Sequence, residues 1–222
     1  MKYIVFGLGN FGSSLSTTLT AMGHEVIGVD KRMEKVELHK DDITHTICLD
    51  STDIQAVSSL PIGDADTVIV AIGEDEGASI MTTALLKQLH AKRIIGRAVS
   101  ELQTTVMQAM GIHEISRPEQ TSAVRLAKRL NFKGVVDSFE LSNKHNIIEL
   151  KCPPKYEGKT LKEVEFRKKY NITVLTTIKE VKGKDEGKIS GVATADTLLE
   201  QGDTLIIFGS LNDLRDMLDD SE

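Results

Sequence analysis

Residues 7–12 read Gly-Leu-Gly-Asn-Phe-Gly, set between a short apolar run, Lys2–Phe6, and a helical pattern that extends to Met22. In a strand–turn–helix setting the three glycines have separate physical roles. Gly7 permits the tight turn off the strand. Gly9 lacks a Cβ, so a pyrophosphate can approach the backbone, and Gly12 lets the helix pack closely on the sheet. The unpaired N–H groups and the dipole at the helix start then favour phosphate. A second strand-like run, Glu25–Val29, ends in Asp30. An acid about 20 residues beyond such glycines is placed to hold a ribose hydroxyl. The plainer reading is a strand-to-helix turn with incidental glycines; Asp30 tips the balance to a nucleotide site.

The rhythm that follows extends this. Strand-like runs at Tyr3–Phe6, Glu25–Val29, Thr46–Leu49, Thr67–Ala71, Arg93–Arg97 and Glu114–Ser116 alternate with helical patterns at Phe11–Met22, Met33–Leu38, Asp53–Leu60, Ala78–Leu89 and Leu102–Met110. Gly23 and Gly111 stand where helices stop. Thr52 with Gln55, and Ser100 with Gln103, have capping-box spacing. Such alternation predicts an α/β, doubly wound parallel sheet, with ligand at the C-terminal strand edge. Pro118 opens a further helical stretch, Glu119–Leu130. The βα rhythm then ends, and Gly134 and Asp137 mark a boundary. Residues 135–222 read as a small α+β domain. Strands are expected at Val135–Leu141, Asn146–Lys151, Thr173–Lys179, Lys188–Val192 and Thr204–Phe208. A polar hairpin loop is expected at Lys182–Gly187, a helix from the Thr160/Glu163 capping box to Lys169, and a last helix at Asn212–Leu218.

The strand ends supply the ligand candidates. After the second strand come Asp30, Lys31 and Arg32. Asp30 suits a free ribose hydroxyl and would repel a 2′-phosphate, whereas the two cations are either ligands or solvated loop charge. After the third come Asp50, Ser51 and Thr52, which can meet an adenine edge or cap a helix. After the fourth come Ala71, Ile72 and Gly73, where the backbone can approach ribose or base. After the fifth comes Arg97, either a phosphate ligand or the partner of Glu101.

Composition removes several other classes. The net charge is −6 and tryptophan is absent, which argues against a nucleic-acid binder with a basic face and stacking platforms. No apolar run is long enough for a membrane span, and the first strand begins at Lys2 with no leader expected before it. The two cysteines, Cys48 and Cys152, make no disulfide framework or metal pair, which suits a reducing compartment. The six histidines show no metal-ligand spacing. There is no Gly-x-Ser-x-Gly elbow, and no Tyr-x-x-x-Lys pair: Tyr156 is followed at that spacing by Thr160, and Tyr170 by Val174. The missing acid–base groups favour a nucleotide sensor. The rivals are a small nicotinamide-dependent oxidoreductase, which shares the glycines and Asp30, and a transcriptional redox sensor, for which no helix-turn-helix is evident.

Gly7–Gly12, Met22–Val26, Asp30, Val70–Gly73 and Arg117-Pro118-Glu119 together resemble the regulatory subunits of Ktr/Trk potassium uptake systems. Arg167–Tyr170 and Gln201–Leu205 resemble their smaller ligand domain, so the likeness spans nearly the whole chain. It implies a Rossmann-like RCK N-terminal domain over 1–134, with a crossover helix at about 118–131, and an RCK C-terminal domain over 135–222. It further implies a non-enzymatic cytoplasmic protein, peripheral at the inner face of the plasma membrane. Such a protein forms homodimers that assemble into a ring, typically an octamer, under an integral-membrane potassium channel or transporter. An adenine nucleotide would bind Gly7, Leu8, Gly9, Asn10, Phe11, Gly12, Asp30, Lys31, Asp50, Ser51, Thr52, Ala71, Ile72, Gly73, Arg97 and Glu119. ATP or ADP comes first, with NAD(H) or AMP as alternatives. By the same resemblance Glu119 lies near a γ-phosphate and its Mg2+, and cyclic di-AMP is the ligand of a second site at Arg167 and Val192. Asn10 departs from the family pattern, which has Arg there, and cannot supply a charge-assisted bidentate contact. Val192 departs too, standing where that pocket has proline.

Overall fold

The computed structural model describes residues 1–142, 144–180 and 187–221. The chain divides into two compact units, Met1–Gln120 and Thr121–Glu222.

The first unit is built on six parallel strands: β1 (Lys2–Phe6), β2 (Glu25–Asp30), β3 (His45–Cys48), β4 (Thr67–Val70), β5 (Ile94–Arg97) and β6 (Glu114–Ser116). Their order across the sheet is β3-β2-β1-β4-β5-β6, with the reversal between β1 and β4. Helices α1 (Asn10–Ala21), α2 (Met33–Leu38), α3 (Ile54–Ser58), α4 (Glu76–Gln88) and α5 (Glu101–Ala109) make the connections. The expected α/β doubly wound sheet is therefore present. Side-chain alternation along the strands feeds both faces. Ile4, Phe6, Val68 and Val70 pack with Val57 and Leu86, while Val5 and Ile69 pack with Leu8 and the apolar side of α1. All four residues of β4 are buried, as a central parallel strand covered on both faces requires.

Register brings the strand ends together. Phe6 lies opposite Val29 and Val70, Asp30 opposite Cys48, and Val70 opposite Gly96. The Gly7 N–H donates to Val29 O at 2.7 Å, and the Ala71 N–H donates to Phe6 O at 2.7 Å, so the turn after β1 is tied to both neighbours.

The second unit is an antiparallel sheet ordered β10-β9-β11-β8-β7. Its strands are β7 (Val135–Glu140), β8 (Asn146–Lys151), β9 (Thr173–Lys179), β10 (Lys188–Ile189) and β11 (Thr204–Gly209). Helix α6 (Pro118–Asn131) precedes them, α7 (Leu161–Val164) and α8 (Phe166–Tyr170) lie between β8 and β9, and α9 (Leu211–Asp219) ends the chain. Ile148, Leu150, Leu205 and Ile207 pack with Phe166, Leu214 and Met217 in one core.

Three local expectations change. The helix foreseen to Lys169 is two short helices, because Glu165 takes a left-handed conformation between them (φ 55°, ψ 41°). Asp53 rather than Thr52 caps α3, its carboxylate accepting from the Gln55 and Ala56 N–H groups. The strand foreseen to Val192 stops at Ile189. Most of the hairpin loop foreseen at Lys182–Gly187 lies outside the described residues.

Candidate functional site

A cleft of about 480 Å³ opens at the C-terminal ends of β1, β2, β3, β4 and β5. Its floor is the turn after β1. Gly7 has a positive φ of 97°, which side-chain-bearing residues rarely adopt. A Cβ on Gly12 would stand 1.8 Å from Gly7 O, so α1 approaches this turn only because residue 12 is glycine. Gly9 extends into the start of α1, and no side chain caps that helix. Its first N–H groups are thus open to an anion.

Asp30 fixes the β2 side. It is 8% exposed. One carboxylate oxygen accepts from the Leu8 N–H at 2.8 Å, and the other accepts from the Arg32 N–H at 2.9 Å. Each oxygen retains a lone pair, so the carboxylate can still take ribose hydroxyls while it braces two loops. Beyond it, the Arg32 guanidinium lies 3.7 Å from Asp30 and 3.0 Å from Glu74, and Lys35 lies 3.5 Å from Glu74. The Arg32 hydrogen bond, then Lys35, hold the Glu74 carboxyl below its ordinary range.

On the β3 side, Asp50 accepts from the Thr52 N–H at 2.9 Å and the Thr52 hydroxyl at 2.8 Å. Those bonds, the backbone one first, lower its pKa. The Thr82 hydroxyl donates to Ser51 Oγ at 2.9 Å, anchoring this loop to α4. Across the cleft, Arg97 donates to Ala71 O at 3.1 Å, pairs with Glu119 and lies 5.5 Å from the centre of the Phe11 ring. Its Nε is buried without a hydrogen-bond partner. A Cβ on Gly73 would stand 2.6 Å from this guanidinium, so glycine there makes room for Arg97. Burial pushes the Glu119 carboxyl up, but its own N–H and Arg97 outweigh this and the net direction is down.

Of the residues singled out in sequence, Gly7, Gly9, Asn10, Phe11, Asp30, Lys31, Asp50, Ser51, Thr52, Ala71, Ile72, Gly73, Arg97 and Glu119 line this one cleft. Leu8 and Gly12 do not. The Leu8 side chain is buried in the core and its N–H is taken by Asp30, while Gly12 is packed against Gly7. The alternative partner offered for Arg97, Glu101, is not the one it takes: Arg97 pairs with Glu119, and Glu101 with Arg117. In sequence Glu74 is only the residue after Gly73 and Lys35 ends no strand, so neither stood out as a ligand candidate; only the fold joins α2 to the loop after β4. Among the described residues no cluster of three potential metal ligands occurs, at Glu119 or elsewhere. Arg167 and Val192, in the second unit, are exposed, and Arg167 makes no ion pair among the described residues. No helix among the described residues is long and apolar enough to cross a membrane.

With this geometry in hand, the likeness to known proteins is informative. The TrkA-N domain model matches residues 3–118, and the TrkA-C domain model matches residues 147–220. The chain is 34% identical over 213 residues to Ktr system potassium uptake protein C of Bacillus subtilis, covering 96% of this chain and 94% of that protein. Among solved structures, the GsuK RCK domain superposes with a TM-score of 0.66 at 14% identity, covering 97% of this chain and 46% of that one. A GsuK channel bound to NAD gives a TM-score of 0.64 at 14% identity, covering 97% of this chain and 38% of that one. At that identity the likeness is one of fold, and this chain spans less than half of either solved chain.

Proposed function

The chain belongs to the family that joins a TrkA-N to a TrkA-C domain, and on that premise we propose that it is the regulatory subunit of a potassium uptake system, a nucleotide sensor and not an enzyme. The observation that carries this reading is the cleft itself. The uncapped start of α1, the Asp30 carboxylate and the Arg97–Glu119 pair face one space at a parallel sheet edge. That set suits an adenine nucleotide: Asp30 takes the ribose, the α1 backbone takes phosphate, and Asp50, Ser51 and Thr52 lie where adenine would. ATP or ADP is the first assignment, with NAD(H) or AMP as alternatives that share the adenosine and first phosphate. Glu119, with phosphate oxygens, is the candidate ligand for Mg2+.

Arg97 and Glu119 give the site a means of reporting occupancy. Their ion pair ties β5 to the first turn of α6. A phosphate that draws Arg97 away, or a cation that draws Glu119 away, changes the tie. A ligand shifts such an equilibrium only by its differential affinity for two arrangements, on the scale of about 1–3 kcal/mol. The receiving partner is an integral-membrane potassium channel or transporter of Ktr/Trk type, with homodimers of this chain forming a ring, an octamer in the first instance, on its cytoplasmic side. Cyclic di-AMP at Arg167 and Val192 is the corresponding second-site assignment.

The test is a thermal-shift panel on the full chain with ATP, ADP, AMP, NAD+, NADH and NADPH, with and without Mg2+. A ligand at 100 times its Kd stabilises a fold by ~2.7 kcal/mol. Stabilisation by adenine nucleotides that is lost in Asp30→Ala is the expected result. The absence of any ligand-induced shift, or a shift with NADPH alone, overturns the reading.

A further inference from the structure

Asn10 is neutral, so the phosphate cradle needs its cation from elsewhere. Gly9 shows where it comes from. Among the described residues, and apart from Leu8 and Asn10 beside it in the chain, the one heavy atom within 4 Å of the space a Gly9 Cβ would fill is Lys35 Nζ, at 3.8 Å. Lys35 lies on α2, just past the strand that carries Asp30, and its side chain is only 20% exposed. Resting on the adenine-nucleotide reading above, we propose that Lys35 is the cation of the phosphate subsite, and that Glu74 is a placeholder carboxylate that holds it until a phosphate chain arrives.

The Glu74 geometry supports the second half. Its two carboxylate oxygens face two different cations, Lys35 Nζ at 3.5 Å and Arg32 Nη2 at 3.0 Å. A pair of phosphate oxygens can satisfy the same two donors. Glu74 is 71% exposed, on the loop between β4 and α4, and among the described residues its carboxylate pairs with these two cations alone. Exposed pairs of this kind are weak and readily exchanged. Arg32, by contrast, has a second carboxylate: Asp30 accepts from its N–H at 2.9 Å and lies 3.7 Å from its guanidinium. Glu74 is therefore the removable part of the subsite. Glu74 stays ionised through neutral pH, so the exchange is anion for anion and leaves no cation unpaired. Lys35 does not itself line the cleft in this state; its ammonium lies between Gly9 and Glu74, which do. Displacing Glu74 frees it to turn toward the glycine turn.

The ligand class follows: nucleotides whose phosphate chain reaches past the first phosphate should sense Lys35, and adenosine should not. Calorimetric titration of adenosine, AMP, ADP and ATP into the full chain separates the possibilities. Lys35→Met should weaken ADP and ATP about tenfold, the scale of one charge-assisted contact, and leave adenosine unchanged. Lys35→Arg should restore most of the loss, and Glu74→Gln should tighten ADP and ATP without affecting adenosine. Equal loss for all four ligands in Lys35→Met, or no loss for any, overturns the proposal. If the wild-type chain binds none of the four, it is the nucleotide reading that fails.

Discussion

The two units handle their charged groups in opposite ways. In the first, the strand ends leave polar groups turned toward an open cleft: an uncapped helix start and carboxylates shared between backbone and solvent. In the second, the corresponding groups are closed on one another. The Tyr156 hydroxyl lies 3.2 Å from the Tyr170 hydroxyl and 3.3 Å from Met217 O, its single proton shared between them, and Tyr170 in turn meets Asp220. Lys179 is held by Leu198 O, Glu200 and Asp203. Both Thr160 and Ser210 complete capping boxes. The cause is topological. Parallel strands place all their C-terminal ends on one edge, and the β1–β4 reversal opens a crevice there. Antiparallel strands alternate direction, so no edge collects like ends. The contrast teaches that polar groups left open at a strand edge are available to a ligand, while paired ones hold a fold.

The sharpest way to break that contrast is Gly12→Ala. The new methyl would meet the Gly7 carbonyl, which is backbone and cannot turn aside. Ordinary overpacking costs about 1–3 kcal/mol, and a backbone clash should exceed about 3 kcal/mol. Urea denaturation followed by circular dichroism reads this, since the chain has no tryptophan for fluorescence. Near-wild-type stability would mean that the turn under the cleft is plastic, and the distinction between a rigid cradle and its open ligand face would collapse.

Leu150→Ala tests the other side. Leu150 is fully buried in the second unit's core, and such truncations cost about 2–5 kcal/mol. The expected result is a stability loss in that range with nucleotide affinity unchanged. A parallel loss of affinity would show that the second unit is part of the binding machinery and not a separately closed structure.

What the sequence disclosed follows the same division. The first unit was legible almost strand by strand, because a buried parallel strand needs an apolar run and the glycine turn marks β1 without ambiguity. Asp30 and Arg97 were legible as candidates because each ends a strand, Glu119 only through the resemblance to a family. Their partners were not. Arg97 has Glu101 nearby in sequence, yet the register of β5 against β6 turns it to Glu119, and only folding brings Lys35 and Glu74 together. The helix read through to Lys169 failed at Glu165, since apolar spacing does not reveal a single left-handed residue. Asp53 displaced Thr52 as a cap because both are good caps one residue apart, and the Thr52 N–H and hydroxyl are turned back to Asp50.

The smallest expected effect sharpens the comparison at a single carboxylate. Glu163 accepts from the Thr160 N–H at 2.7 Å and the Thr160 hydroxyl at 2.8 Å. These bonds, the backbone one first, lower its pKa from the ordinary value. A carboxylate whose folded pKa is depressed contributes stability above its unfolded pKa and loses it as pH falls through the folded one. The capping box should therefore weaken only below the ordinary glutamate range. Thr160→Val removes the hydroxyl and keeps the N–H, so Glu163 should titrate at a higher pH than in wild type, as read by carboxyl-carbon NMR. Glu119, also lowered but leaning on Arg97, should be unmoved by that change and should instead shift on adding nucleotide. If Glu163 responds to nucleotide and Glu119 does not, the open and closed units have been assigned the wrong way round.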